Sequence, residues 1–314
     1  MNSPVFAASE QTCRVVCRQV KHRYGDREAL RGVDLQMRAG EIFALLGPNG
    51  SGKTTLFRLI STLLPLQSGA IEVAGVSVKD DVLAVRQRIG IVFQSPSLDK
   101  KLTVDENIAC QAALYGLSKL EMQKRRDEVL ALMKLTDRRS DFCEKLSGGL
   151  KRRVELAKGM LHQPPVMLLD EPSTGLDPAA RLDLWQSLRA MADAGIAVIL
   201  TTHLLDEADK ADRLAILAEG QVIAEGTPAS LRASLGEGLV TVTATDAAVV
   251  EKILRDEMGL AVRRVHDQLR IQSERAAELV PAVAKRLGDK AQSITLGRPD
   301  LEDVFIEKTG HRFL

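Results

Sequence analysis

The nine residues 47–55, GPNGSGKTT, constrain the fold more than any other part of the chain. They fit the pattern G-x-x-x-x-G-K-[ST], with Gly47 and Gly52 as the fixed glycines, Lys53 as the lysine and Thr54 as the hydroxyl. A loop that meets phosphate oxygens with backbone N–H groups must be bare of side chains, and Gly50 and Gly52 open it further. Residues 41–46 (EIFALL), just before it, form a short apolar run suited to a buried parallel strand. After it, Leu56, Leu59, Ile60 and Leu63 recur at helical spacing, and Pro65 ends the pattern. Strand, glycine loop and helix in that order place the loop at a helix N-terminus, whose partial positive charge favours anions. The alternative, a glycine-rich turn feeding an ordinary helix, is weakened by this context. The reading is a nucleotide site: Pro48, Asn49, Ser51 and Thr55 complete the cradle, Lys53 reaches the β- and γ-phosphates, and Thr54 ligates magnesium.

At 314 residues the chain suggests two domains. With 43 basic against 42 acidic residues, no global field favours nucleic acid or anionic lipid, and no nucleic-acid partner is expected. No apolar stretch approaches the ~18 residues of a membrane span, and the N-terminus lacks an apolar signal core. The expectation is a cytoplasmic protein, unless another chain holds it to a membrane. Four cysteines fit a reducing compartment; Cys13 and Cys17 lie on an alternating, strand-like stretch, and their C-x₃-C spacing has no matching second pair that would suggest zinc.

Residues 166–171 (VMLLDE) make a second buried strand, with Asp170 and Glu171 at its carboxyl end, where ligands of open α/β sheets bind. Asp170 is placed to hold magnesium, and Glu171 to take a proton from an attacking water. Between the two strands, residues 146–160 read LSGGLKRRVELAKGM, with Leu150, Val154, Ala157 and Leu161 on one helical face. Ser147, Gly148 and Gly149 open this helix as a second N–H-rich terminus. A Ser cap followed by a glycine turn is the plain reading; a second phosphate site is the sharper one.

These residues resemble the nucleotide-binding subunits of ATP-binding cassette (ABC) transporters over roughly residues 12–230. SGGL is similar to that family's signature loop, though the last position is more often Gln. Gln94 matches the Q-loop glutamine, residues 173–177 (STGLD) with Asp177 the D-loop, His203 the H-loop histidine, and Tyr24 the aromatic residue that stacks on adenine. The resemblance implies ATP and Mg²⁺ as ligands, with Thr54, Gln94 and Asp170 toward the metal and Glu171, Gln94 and His203 at the reacting end. It also implies head-to-tail pairing with a second copy or a homologous ATPase chain, each ATP lying between one P-loop and the other chain's signature. Separate transmembrane permease subunits would anchor the pair to the inner face of the membrane, docking between Gln94 and about Asn107. The fold expected is an α/β P-loop ATPase domain over about 12–235, with a helical insertion over about 76–146.

Residues 103–106 carry a capping box, and the charged run 119–139 reads as a solvated helix face. Beyond Gly236 and Gly238, strands at 239–245, 260–265, 268–271 and 292–296 alternate with helices at 247–258 and 275–287. That βαββαβ order is a ferredoxin-like plan for a small α+β domain over 236–314. A last capped helix over 300–309 contains LEDVF, and the tail resembles the C-terminal extension of type-2 exporter ATPases of the daunorubicin-exporter kind. An ATPase driving export is the function this implies. A non-transport ABC ATPase of DNA repair or translation, and an importer subunit, stand as alternatives.

Overall fold

The computed structural model describes residues 13–236, 238–265, 267–273, 275–311 and 313. The expected domain start at residue 12 lies outside the described residues. The chain divides into two compact units that meet between Val222 and Ile223.

In the first unit, β1 (Cys13–Tyr24) and β2 (Arg27–Arg38) pair as a hairpin, and β3 (Ile42–Leu46) leads through the glycine loop into α1 (Lys53–Ile60). Then come β4 (Ser68–Val73), β5 (Val76–Ser77), α2 (Val82–Arg86) and β6 (Ile89–Val92). Helices α3 (Val104–Leu114), α4 (Lys119–Leu132) and α5 (Gly148–Met160) follow. The chain then alternates β7 (Val166–Asp170), α6 (Pro178–Asp193), β8 (Ala197–Thr202), α7 (Leu205–Ala208), β9 (Arg213–Ala218) and β10 (Gln221–Gly226), the strand within which the boundary between the units falls. Strands β2-β1-β4-β5 form an antiparallel sheet. A six-stranded sheet has the order β10-β9-β3-β8-β7-β6, and its strands from β9 to β6 run parallel. Every residue of β3 is fully buried, as a strand covered on both faces should be. Phe43 and Leu45 of β3 pack with Phe57 and Ile60 of α1 and with Val33, Leu35 and Ile71 of the antiparallel sheet, so α1 is fixed in one core shared with both sheets.

Three expectations need correction. Helix α1 stops at Ile60 rather than carrying Leu63: Thr62 takes a φ of +61°, and Leu63 is 49% exposed. The insertion is not helical from residue 76, because β5 joins the antiparallel sheet and β6 pairs with β7 in the parallel one. Apart from the short helix α2, the helices of this stretch all follow Val92. The charged run 119–139 is not purely solvated, since Arg126 and Arg139 close on Asp105, at 3.4 and 2.9 Å. The capping box at Thr103 and Glu106 forms as expected.

The second unit holds α8 (Pro228–Ala233), β11 (Leu239–Ala244), α9 (Ala247–Lys252), β12 (Val262–Val265), β13 (Gln268–Gln272), α10 (Ala276–Leu287), β14 (Ala291–Gly297) and α11 (Leu301–Thr309). Its antiparallel order β12-β13-β11-β14 is the ferredoxin-like arrangement of a βαββαβ chain. Val240, Val242, Leu269 and Ile271 of the sheet pack with Val250, Leu254 and Val283 of the helical segments. Beyond α9, the helix expected to reach 258 loosens into a π-helical turn over Ile253–Glu257. The unit begins earlier than the expected 236, because α8 packs against α11. Among the described residues, no helix is long and apolar enough to cross a membrane.

Candidate active site

The order β3-β8-β7-β6 places four strand ends side by side. Leu46 pairs with Thr202, Asp170 with Thr201, and Val92 with Leu169. The glycine loop, His203, Glu171 and Gln94 each follow within two residues of those ends, so one edge of the sheet collects them. This is the carboxyl edge, where parallel sheets bind ligands.

Gly52 caps α1 with a φ of +111°, and a Cβ there would lie 2.7 Å from the Ala29 carbonyl oxygen. Only glycine fits both demands. No described side chain caps this helix, so its first N–H groups face the loop. Lys53 is 4% exposed and donates to the Gly47 and Pro48 carbonyls at 2.6 and 3.0 Å. Burial pushes its ammonium below the ordinary value, and the carboxylates of Glu171 and Asp170 work against that. Ser51 Oγ is buried with no hydrogen-bond partner, a polar atom aimed at nothing the protein supplies. A cavity of about 410 Å³ opens beside the loop, lined by Tyr24, Asn49, Gly50, Gly52, Lys53, Thr54, Thr55 and Glu171. Tyr24 is 44% exposed there, edge-on to His22 with ring centroids 4.7 Å apart.

Glu171 joins the other groups. Its backbone N–H donates to Thr201 Oγ1 at 3.0 Å, and that hydroxyl donates to Asp170 Oδ1 at 2.5 Å. Gln94 Nε2 donates to Glu171 Oε2 at 3.1 Å. His203 Nδ1 lies 3.1 Å from Glu171 Oε1, although without the alignment of a hydrogen bond. Glu171 also holds a φ of +44°, the kind of left-handed strain that persists where the surroundings over-determine it.

Other expected residues sit elsewhere in this unit. Ser147 caps α5 by accepting the Leu150 N–H at 3.3 Å, and a Cβ on Gly149 would come within 2.7 Å of Ala180 Cβ, so Gly149 lets α5 approach α6. Asp177 caps α6, accepting from Ala180 N at 2.9 Å. None of Ser147, Gly148, Gly149 and Asp177 lines the cavity. Arg152 of α5 donates to the carbonyls of Phe93 (2.7 Å) and Gln94 (3.2 Å) and to Glu155 (3.0 Å). Glu155 accepts the Ser97 N–H at 2.7 Å. Arg152 and Glu155 are 4% and 3% exposed, and together they fasten the turn around Gln94 to α5.

Arg27, Ala29 and Arg58 line the cavity without having been expected there. Arg27, three residues after Tyr24, carried a positional signal; Arg58 falls on the second turn of α1. Thr201 is also new, its signal being a hydroxyl at the end of the apolar run AVILTT. Glu207 is the least expected: a carboxylate 1% exposed that accepts from Ser173 Oγ and, at 2.8 Å, from Thr202 Oγ1.

Comparison with known proteins agrees with this geometry. The sequence model of the family described as "ABC transporter" matches residues 30–174. The daunorubicin/doxorubicin resistance ATP-binding protein DrrA of Streptomyces peucetius is 38% identical, over 92% of this chain and 90% of that protein. The Nod factor export ATP-binding protein I of Burkholderia orbicola is 35% identical over 93% and 96%. The linearmycin resistance ATP-binding protein LnrL of Bacillus subtilis is 34% identical over 93% and 96%. Among solved structures, cbiO1 from Clostridium perfringens, part of the ABC transporter complex cbiONQ, aligns at TM-score 0.67 with 29% identity, over 79% of this chain and 98% of that one. An ATP-binding subunit of an ABC transporter aligns at 0.63 with 31% identity, over 70% and 92%. The glycine loop, the acidic strand end and these alignments lead to one conclusion: the chain belongs to the ATP-binding proteins of ABC transporters.

Proposed function

We propose that this chain powers an exporter by binding ATP between two copies, or between itself and a homologous chain, and hydrolysing it. The observation that supports this best is the Glu171 carboxylate on the wall of the glycine-loop cavity, with Gln94 and His203 each within 3.1 Å. In the proposed step Glu171 takes a proton from water as the water oxygen attacks the γ-phosphorus. The bond to the β,γ-bridging oxygen breaks, and its electron pair leaves with ADP. Lys53 exchanges the Gly47 and Pro48 carbonyls for phosphate oxygens, which relieves a buried ammonium with a lowered pKa. His203 and Gln94 hold the carboxylate and the water in line. Tyr24 stacks on the base.

The donor set suits a hard cation: the exposed Thr54 hydroxyl, the Asp170 carboxylate with one oxygen engaged by Thr201, and the Gln94 amide. Magnesium held by these three would neutralise phosphate charge, the nucleotide supplying further oxygens. Ser147, Gly148, Gly149 and Asp177 belong to the proposed dimer, where α5 of one copy would face the glycine loop of the other. Permease subunits hold the pair at the inner face of the membrane, docking between Gln94 and about Asn107, on a segment whose start Arg152 and Glu155 fasten. The relatives' names, resistance to daunorubicin and export of Nod factors, favour export over import.

Glu171→Gln keeps the shape and removes the basicity. Steady-state hydrolysis should fall by roughly 10² to 10⁴ while equilibrium ATP binding persists and an ATP-bound dimer accumulates. Near-normal hydrolysis by this variant would remove Glu171 from the chemistry.

A further inference from the structure

The loop after β7 and the loop after β8 carry Glu171 and His203, and neither residue is held in place by the sheet ladder alone. Two cross-links join the loops. The first is Thr201, which accepts from Glu171 N and donates to Asp170. The second is Glu207 of α7. One of its carboxylate oxygens accepts from Ser173 Oγ, two residues past Glu171, and the other accepts from Thr202 Oγ1, one residue before His203. Thr202 Oγ1 in turn accepts the Leu204 N–H at 3.0 Å, so the same hydroxyl shapes the chain on the far side of His203. Arg181 Nε stands 3.8 Å from the first oxygen, outside hydrogen-bond range.

A carboxylate only 1% exposed is costly unless its oxygens are met, and here two hydroxyls meet them. One hydroxyl lies in the loop after β7 and the other on the last residue of β8, the two segments that keep Glu171 and His203 3.1 Å apart. We infer that Glu207 is a positioning residue for hydrolysis: a buried bracket that sets the separation of Glu171 and His203 by tying Ser173 to Thr202. The inference rests on the proposed roles of those two residues. It adds a group that touches neither nucleotide nor water and acts only through them.

The test is a double-mutant cycle on the full-length chain, with ATP turnover, ATP affinity and thermal unfolding measured together. Glu207→Ala should lower kcat by at least about tenfold, because small misplacements of reacting groups are expensive, and leave ATP affinity within about twofold. Glu207→Gln, whose amide still accepts from one hydroxyl and donates to the other, should recover most of the loss. In a His203→Ala background, adding Glu207→Ala should cost less than about twofold more, since residues acting through one another are not additive. Ser173→Ala and Thr202→Val remove the same bonds from the other ends. Should Glu207→Ala fail to fold, these two must show the fall in kcat expected of it, at least about tenfold. Equal losses in both backgrounds, or a fall in ATP affinity matching the fall in kcat, would overturn the bracket. If His203→Ala and Glu171→Gln both turned over normally, the proposed roles and the bracket would fall together. If those variants are crippled and Glu207→Ala is not, the bracket alone is wrong.

Discussion

Two helices of the first unit carry glycine at or next to the N-cap, and they reach opposite ends. Helix α1 starts at Gly52 with no side-chain cap, a left-handed backbone and a buried lysine folded onto carbonyls of its own loop. Helix α5 starts at Ser147, whose hydroxyl already satisfies the Leu150 N–H, and its glycine at 149 is spent on contact with Ala180. The first terminus is organised around something the chain does not contain. The second is content within the single chain and becomes a ligand site only if a partner brings phosphate to it. An orphaned Ser51 hydroxyl on one side and an engaged Ser147 hydroxyl on the other carry that difference. In the proposed dimer they are the two halves of one site.

The largest effect expected from this contrast is complementation. Lys53→Ala and Ser147→Arg subunits should each be inactive alone, while a mixture regains one intact site per mixed dimer, about a quarter of wild-type turnover if two-fold dimers pair at random. A mixture as inactive as its components, with mixed dimers shown to form, would break the comparison. Next comes Gly52→Ala, which demands a φ of +111° of an L-residue and drives Cβ to 2.7 Å from the Ala29 oxygen. Strain of about 1–2 kcal/mol from the backbone alone should reach the loop, and ATP affinity measured by titration should drop at least tenfold. The smallest effect belongs to Ser147→Ala. Loss of the cap should cost about 1 kcal/mol in thermal unfolding, with ATP affinity at the glycine loop unchanged. A drop in ATP affinity of the isolated chain with that variant would mean the two termini are not separate after all.

What was legible in the sequence is what lies along the chain. The glycine loop, the acidic strand end and the Thr103 capping box are short runs whose spatial neighbours are also sequence neighbours. The βαββαβ tail was legible for the same reason, its strands being set off by clear helical patterns. Thr201 was not, because its bond to Asp170 depends on the pairing of strands 31 residues apart. Glu207 sits in DEAD, an ordinary charged string; only the packing of α7 shows that its carboxylate is buried. Leu63 misled because helical spacing continued past a backbone reversal at Thr62. The insertion was drawn too wide, since two- and four-residue strands such as β5 and β6 are too short to mark themselves by alternation.

The grip of Arg152 and Glu155 on the turn around Gln94 bears on how such a protein can change over evolutionary time. Losing one member of a buried pair typically costs about 3–5 kcal/mol, so single substitutions at either position are closed off. Apolar replacement of both, often harmless for a buried pair, is closed off too, because the Phe93 and Gln94 carbonyls and the Ser97 N–H would lose their partners together. Arg152 and Glu155 are therefore inherited as one piece. Because their bonds to the turn all go to backbone atoms, a chimera that imports residues 93–97 from a relative should keep the grip, whereas one that imports an α5 lacking either member of the pair should lose it.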